Sequence, residues 1–376
     1  MANSFLSIKN IARRALPRLI ENLVFPNLIY RDYNEAFEVG KGATIQVRKP
    51  VILTATEFDE TTGTSAQDVK EESVEVTLDK LATVDVEFGA ISRATDVDSL
   101  DRLFIEPAAV ALAEKINSDG LYLYKDIPYY VGTAGTTPDG LDDFANAAKV
   151  LDNHKVPTTL RRGVWNPDAM AQFRQIGAIV NAEKSGTTAA LRAGSIGNIF
   201  GIDNYMAQGV KNVTSTAPTA GGTGATGYKV KTAVTADDDV ILVSNATASA
   251  TLTGGVKAGD IVTIGGEQYT IVANATAASN ELAIKVDRPL TCDANAAATL
   301  ACGGAQNLVF HENAFAFVTR PLVAPAGVES YTTSYNGITL RVVRGYNMQY
   351  KKEMLSMDVL YGYKTMYPEL AVRVLG

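Results

Sequence analysis

The clearest pattern of apolar and polar positions lies between Ser73 and Phe88. Val74, Val76, Leu78, Ala82, Val84, Val86 and Phe88 fall on one side of a period-two alternation, with Lys80 alone breaking the row. Ser73, Glu75, Thr77, Asp79, Thr83, Asp85 and Glu87 fall on the other. Such alternation marks a half-buried strand. Thr44 to Leu53 reads as the outgoing partner, so Lys41–Ala90 is predicted to be one long β-hairpin with a polar, acidic tip. At about 3.3 Å per residue the return arm would span roughly 50 Å. A two-stranded ribbon is only marginally stable alone. Its apolar face therefore needs cover, and a neighbouring copy of the chain is the natural candidate.

Helical spacing appears first in residues 3–24, where Ile8, Ile11, Ala12, Ala15, Leu16, Leu19 and Leu23 make an apolar stripe. Pro17 is expected to kink or restart this arm. The stripe can pack on its own domain, dock on a partner or lie on a membrane surface. Pro107 opens a longer helix through about Lys125, and Asp139 begins another with Leu141, Phe144, Ala148 and Leu151 on one face. Arg162–Trp165 reads as a short buried strand. Asn166-Pro167-Asp168 then caps a helix carrying Met170, Phe173, Ile176 and Val180. A Gly/Ser/Thr/Ala passage, Ser185–Gly197, precedes a predicted strand at Gly201–Val210.

From about Thr214 to Ala305 the composition shifts to Ala, Thr, Gly and Val. Short strand-like runs recur between turns: Tyr228–Val234, Val240–Val243, Ile261–Ile264, Gln268–Val272 and Leu282–Val286. This pattern predicts a small all-β barrel or sandwich inserted into an α+β domain. Beyond it, Asn336-Gly337 between alternating runs is a hairpin turn. Strands are predicted at Ile338–Tyr346, Met354–Tyr363 and, after Pro368, Ala371–Leu375.

Composition narrows the function classes. A chain of 376 residues with 46% hydrophobic and 20% charged residues is globular and long enough for two or three domains. A net charge of −7 excludes a general nucleic-acid binder. The charge is uneven, however. Lys9, Arg13, Arg14 and Arg18 face no acid before Glu21, whereas the hairpin tip carries Glu57, Asp59, Glu60, Asp68, Glu71 and Glu72 against Lys70. Opposite charges on two extended segments suit pairing between copies, and each residue alone also reads as part of a solvated face. Cys292 and Cys302 are too few for a disulfide framework, although they flank a short segment that a bridge could close. No apolar run approaches a membrane span.

Candidate chemistry is thin. Gly222-Thr-Gly-Ala-Thr-Gly227 matches the dinucleotide fingerprint by spelling, but that motif needs a helix after it, and a strand is predicted there. His154 and His311 lack metal-ligand spacing. His154 falls near a helix end, where the dipole favours a cation. Asp237-Asp238-Asp239 reads as a turn rather than a calcium loop. No metal or cofactor is expected. A hydrolase with the β module as substrate-binding domain, using His311 and Glu312, is the alternative reading.

The order of parts carries more than any motif. The stretches concerned are Met1-Ala-Asn-Ser-Phe5 and its helix, Pro157-Thr-Thr-Leu-Arg-Arg162 with Asn166-Pro167, and Leu191-Arg-Ala-Gly-Ser-Ile-Gly197 leading to Phe200-Gly-Ile-Asp-Asn-Tyr205. Ala258-Gly-Asp-Ile-Val-Thr-Ile264, Asn307-Leu-Val-Phe-His-Glu-Asn-Ala-Phe315 and Asp358-Val-Leu-Tyr-Gly-Tyr-Lys-Thr-Met-Tyr-Pro-Glu369 complete the set. In this order they resemble the major capsid protein of tailed bacteriophages, the Hong Kong 97 coat fold. Within it the match is to the short-tailed-phage coat family with an inserted β-barrel domain. The resemblance implies an α+β fold divided as N-terminal arm 1–39, extended loop 40–90, spine helix with peripheral domain 91–130, axial domain 131–213, inserted barrel 214–306, axial return 307–322 and peripheral strands 323–376. It implies a non-enzymatic protein that forms the pentamers and hexamers of an icosahedral head around double-stranded DNA. Implied partners are other copies, a scaffolding protein, a portal at one vertex, a decoration protein and weakly held packaged DNA. The place implied is the virion, assembled in a bacterial cytoplasm. Lys9, Arg13, Arg14, Arg18, Glu57, Asp59, Glu60, Glu71 and Glu72 are the candidate contacts with neighbours or scaffold.

Overall fold

Why the strands end up in separate sheets follows from where their partners lie. The computed structural model describes residues 8–31, 44–48, 73–89, 105–181, 193–221, 227–235, 238–246, 251–278, 280–325, 327–335, 337–347 and 352–376. The described residues are α+β, with 25% helix and 44% strand. It divides into two compact units, one of residues 1–20, 31–112 and 316–366, the other of residues 21–30, 113–315 and 367–376.

The first unit holds a five-stranded antiparallel sheet in which Lys352–Thr365 pairs with Phe315–Arg320, Ile338–Asn347 and Lys80–Gly89, and Glu329–Tyr335 flanks Ile338–Asn347. The alternation of the return arm is met: Val76, Leu78 and Ala82 are buried while Glu75, Asp79, Thr83, Asp85 and Glu87 are exposed. The single long hairpin is not. Thr44–Arg48 pairs with Ser73–Thr77 in register Thr44↔Thr77 to Arg48↔Ser73, and the ladder breaks at Leu78-Asp79. Lys80–Gly89 then takes Lys352–Tyr361 as its partner instead. Val76, Leu78 and Ala82 of the apolar row are therefore covered within the chain itself.

Gly362 makes this junction feasible, because a Cβ there would collide with the carbonyl of Thr77. Across the same sheet Arg341 and Asp358 face each other in register. Asp358 Oδ2 accepts from Arg341 Nε at 3.0 Å and Nη2 at 2.5 Å, and Ser356 Oγ donates to Oδ1 at 2.8 Å. The predicted turn before Ile338 is present as Tyr335↔Ile338 with Gly337 at φ +71°. Asn336 lies outside the described residues.

In the second unit a seven-stranded mixed sheet has the order Tyr130–Gly132, Ala371–Leu375, Gly304–His311, Arg161–Trp165, Ile202–Met206, Asn198–Ile199, with Asn212–Val213 beside Gly304–Ala305. Ala371–Leu375, expected with the strands before it, instead pairs with Gly304–His311 and Tyr130–Gly132. All five of its residues are buried, which suits a central strand with both faces covered. The helices Leu141–Asn153 and Pro167–Phe173 supply Phe144, Ala147, Leu151, Met170 and Phe173 to a core completed by Trp165, Val309, Val372 and Val374. Asn166 caps the second helix as its spelling predicts, accepting from Ala169 N at 3.0 Å.

Residues 228–301 form a six-stranded antiparallel sheet in the order Glu267–Thr270, Ile261–Ile264, Ala297–Ala301, Tyr228–Val230, Val240–Asn245, Glu281–Lys285. Its two edges meet: Ile271 bridges Val286, Val272 N donates to Lys285 O at 2.9 Å and Asp287 N to Thr270 O at 3.0 Å. The enclosed core includes Val230, Val243, Val262, Ile271, Leu282 and Ile284. Cys292 and Cys302 remain free thiols.

Candidate assembly surfaces

The arm helix runs Ile8–Asn22 without a break at Pro17. The proline lies on an exposed face, where water can serve the carbonyl its ring leaves without a donor. Ala12, Ala15, Leu16 and Leu19 are buried within the chain, so the apolar stripe packs at home. Lys9, Arg13, Arg14 and Arg18 line the exposed side. Arg18 is already engaged: its Nη1 lies 2.9 Å from Glu106 Oε1, with both side chains about half exposed. A pair this wet contributes at most about 1 kcal/mol. Glu57, Asp59, Glu60, Glu71 and Glu72, like Thr95–Asp98, lie outside the described residues.

The segment after the arm is tied down by residues that no local pattern announces. Asn117, on the long helix Glu106–Leu121, accepts from Val24 N at 3.0 Å and Phe25 N at 3.2 Å, and donates to Asn22 O at 2.9 Å. Its amide nitrogen serves a carbonyl at the open end of the arm helix, and its oxygen serves two N–H groups at the start of the 3-10 turn Phe25–Leu28. Phe25 packs against Phe310 and Phe315 at 5.5 and 5.6 Å between ring centres. Arg162 donates to Leu28 O and pairs with Glu312 at 3.3 Å.

The return arm is held on the outer side of Lys352–Thr365 by ten register pairs, Lys80↔Tyr361 through Gly89↔Lys352. Lys352 Nζ meets Glu87 at 2.7 Å and Thr83 Oγ1 lies 3.3 Å from Ser356 Oγ.

The candidate catalytic residues have structural work. His311 Nδ1 accepts from Asn313 N at 3.2 Å, capping a short 3-10 turn, and Glu312 is spent on Arg162. His154 closes the helix Leu141–Asn153 with its ring 4.1 Å from that of Tyr129. The glycine-rich stretch ends at Gly227 in a strand, Tyr228–Val230, and not in a helix, although a short strand, Thr219–Gly221, does precede it. Asp238 Oδ1 accepts from Val240 N at 3.3 Å, as a turn residue does. Among the described residues no cluster of His, Cys, Asp and Glu could hold a metal ion, and no helix is long and apolar enough to cross a membrane.

Burial pushes the His311 imidazole below its ordinary range; Glu312 pulls it back up, while Arg161 and Arg162 push it further down. The folded chain therefore binds this proton less readily than the unfolded chain. The stabilisation is present above the unfolded pKa near 6.5 and is lost as pH falls through the lower folded value. His311→Asn, which keeps a capping acceptor without titrating there, should unfold with a weaker loss of stability between pH 7 and 5 than the parent. Parallel urea titrations at the two pH values measure the difference.

No family model matches the chain, and no curated protein matches it. Solved structures do. A structure of Mycobacterium phage Che8 matches with TM-score 0.54 and 18% identity, over 94% of this chain and 90% of that one. The capsid structure of the Cyanophage P-SCSP1u matches with TM-score 0.50 and 13% identity, over 94% of this chain and 88% of that one. The chain therefore shares its fold with the capsid structure of the Cyanophage P-SCSP1u, in line with the phage-capsid resemblance of the sequence.

Proposed function

We propose that the protein is the major capsid protein of a tailed phage and builds the pentamers and hexamers of an icosahedral head around double-stranded DNA. The observation that carries this reading is the match of 94% of the chain to a phage capsid structure. Its role is structural and not catalytic, in keeping with the capping and ion-pair duties of His311 and Glu312.

In this reading Glu106–Leu121 is the spine helix, residues 40–90 are the extended loop and the closed sheet of residues 228–301 is the inserted barrel. Residues 131–213 and 307–322 make the axial domain, and the peripheral strands lie within 323–376. The partners are neighbouring copies, a scaffolding protein, a portal at one vertex, a decoration protein and weakly held DNA, and the place is the virion, assembled in the host cytoplasm. Co-expression with a scaffold followed by sedimentation tests the function. The expected species is a rapidly sedimenting shell, and a single small oligomer under every condition would count against it.

The basic face of the arm is the proposed docking site for acids of a neighbour or scaffold. Two of its four cations, Lys9 and Arg13, have no ion-pair partner among the described residues, whereas Arg18 already has Glu106. Replacing Lys9, Arg13, Arg14 and Arg18 together by Gln should slow assembly about tenfold at low salt, since steering by charge acts mainly on encounter rates. The difference should shrink above about 0.15 M salt, where charges beyond roughly 8 Å are screened. Arg18→Gln alone should have a smaller effect than Lys9→Gln or Arg13→Gln. Light scattering during assembly reads the rates.

A further inference from the structure

The module leaves and rejoins its sheet side by side, with Val213↔Gly304 and Asn212↔Ala305 in register. Both connections converge on one buried carboxylate. Asp260 Oδ2 accepts from the hydroxyl of Ser215 on the entry side at 2.7 Å and from Lys257 N at 2.7 Å. Its Oδ1 accepts from Gly303 N on the exit side at 3.2 Å. Lys257 Nζ adds a bond to Thr214 O at 2.6 Å.

The adjacent residue faces the sheet. Gly259 O accepts from Nη1 of the wholly buried Arg373 at 2.6 Å, and Arg373, on the terminal strand, also donates to Gln306 Oε1 at 3.3 Å. Gly259 has φ +100°, and a Cβ there would lie 2.8 Å from Lys125 Cγ and 3.0 Å from Tyr124 Cε2. A side chain at this position would wedge the module away. Away from Asp260, Tyr130 N donates to Gln268 Oε1 of the module at 3.1 Å.

Two peptide connections alone would let an inserted module swing. A buried guanidinium is costly unless it is hydrogen-bonded, and Nη1 of Arg373 has its partners in Gly259 O of the module and Gln306 Oε1 of the sheet. Separating module from sheet would undo the Gly259–Arg373 bond and move Asp260 away from that cation. We propose that Asp260 and Arg373 form a latch that clamps the inserted module to the sheet, so that module and sheet turn as one body. The latch belongs to the single chain and holds whether or not the chain builds shells.

Hydrogen exchange on the full-length monomer tests it. In the parent, the amides of Lys257, Gly303 and Tyr130 are protected. In Asp260→Ala all three should exchange about tenfold faster or more, as expected when a buried charged acceptor is lost. Tyr130 is the discriminating amide, because it touches the module through Gln268 and not through Asp260. The module's own strands, Val240–Asn245 and Glu281–Lys285, should keep their protection. Gly259→Ala, which retains both latch side chains, should accelerate Tyr130 as well and carries the test if Asp260→Ala does not fold. Unchanged Tyr130 exchange in the variants would overturn the proposal. So would equal acceleration of the module strands, which means unfolding rather than undocking, or an unprotected Tyr130 in the parent.

Discussion

A chain lacking residues 55–72 is expected to fold to the same two units and to fail to build shells. The return arm has two anchors, and neither includes the deleted residues. One is the ladder from Thr44↔Thr77 to Arg48↔Ser73; the other is the pairing of Lys80–Gly89 with Lys352–Tyr361. After the deletion, residues 49–54 remain to close the ladder, close to the usual hairpin loop of about two to five residues. By loop-closure entropy alone, the shorter connection changes stability by only about 1 kcal/mol. The deletion does remove Glu57, Asp59, Glu60, Glu71 and Glu72, the acids proposed to reach a neighbour. The expected result is a urea midpoint close to that of the parent together with loss of the rapidly sedimenting species. A deletion that unfolds the monomer would place the hairpin's role inside the chain.

Trp165→Ala should be the most damaging single substitution in the second unit. Trp165 is fully buried, with ring contacts to Phe144 at 5.0 Å and Phe173 at 4.8 Å, and its Nε1 donates to Asn204 Oδ1 at 2.8 Å. Removing such a ring typically costs about 3–5 kcal/mol through lost burial and the cavity left behind. Against a total stability of about 5–15 kcal/mol, that is enough to depopulate the fold at moderate temperature. Trp165→Phe keeps most of the volume and should cost well under half as much. Trp165 is the only tryptophan, so circular dichroism rather than fluorescence must follow the variants. In the parent, Trp165 fluorescence reports the unfolding of this core directly.

Where pattern and structure agree, the physics is local. Ile261–Ile264 and Ala371–Leu375 are strands with the predicted ends, because apolar β-formers lie between turn signals. Asn166 and Pro167 start a helix because one side-chain oxygen and one fixed φ suffice. Where they part, the deciding contact is remote. The break at Leu78-Asp79 follows from a sheet partner, Lys352–Tyr361, more than 260 positions away. Ala297–Ala301 becomes a strand between two module strands although Ala-Ala-Thr-Leu-Ala carries almost no β signal. The helix expected to run from Asn166 to Val180 is two pieces, Pro167–Phe173 and Gly177–Val180, and Gly177 is the weak point in that run.

The same division holds for the surfaces. The basic side of the arm was legible, since a helix with a buried stripe must show its other residues to solvent. Asn117, Gly362 and the pair Asp260 and Arg373 were not. Asn117 reads as an ordinary polar helix residue, Gly362 as a gap in a strand, and Arg373 as one charge among apolar neighbours. A glycine or an arginine in a strand that is otherwise apolar was the available signal, because each needs a close approach or a buried partner to be tolerated.

Closure of this chain into a shell is the proposed function on which the rest depends. Negative-stain electron microscopy of particles purified after co-expression with a scaffolding protein tests it most directly. Closed, roughly isometric particles of uniform size with clustered capsomers on their surface are expected. Fields containing only small discrete oligomers, at every protein and salt concentration tried, would contradict it.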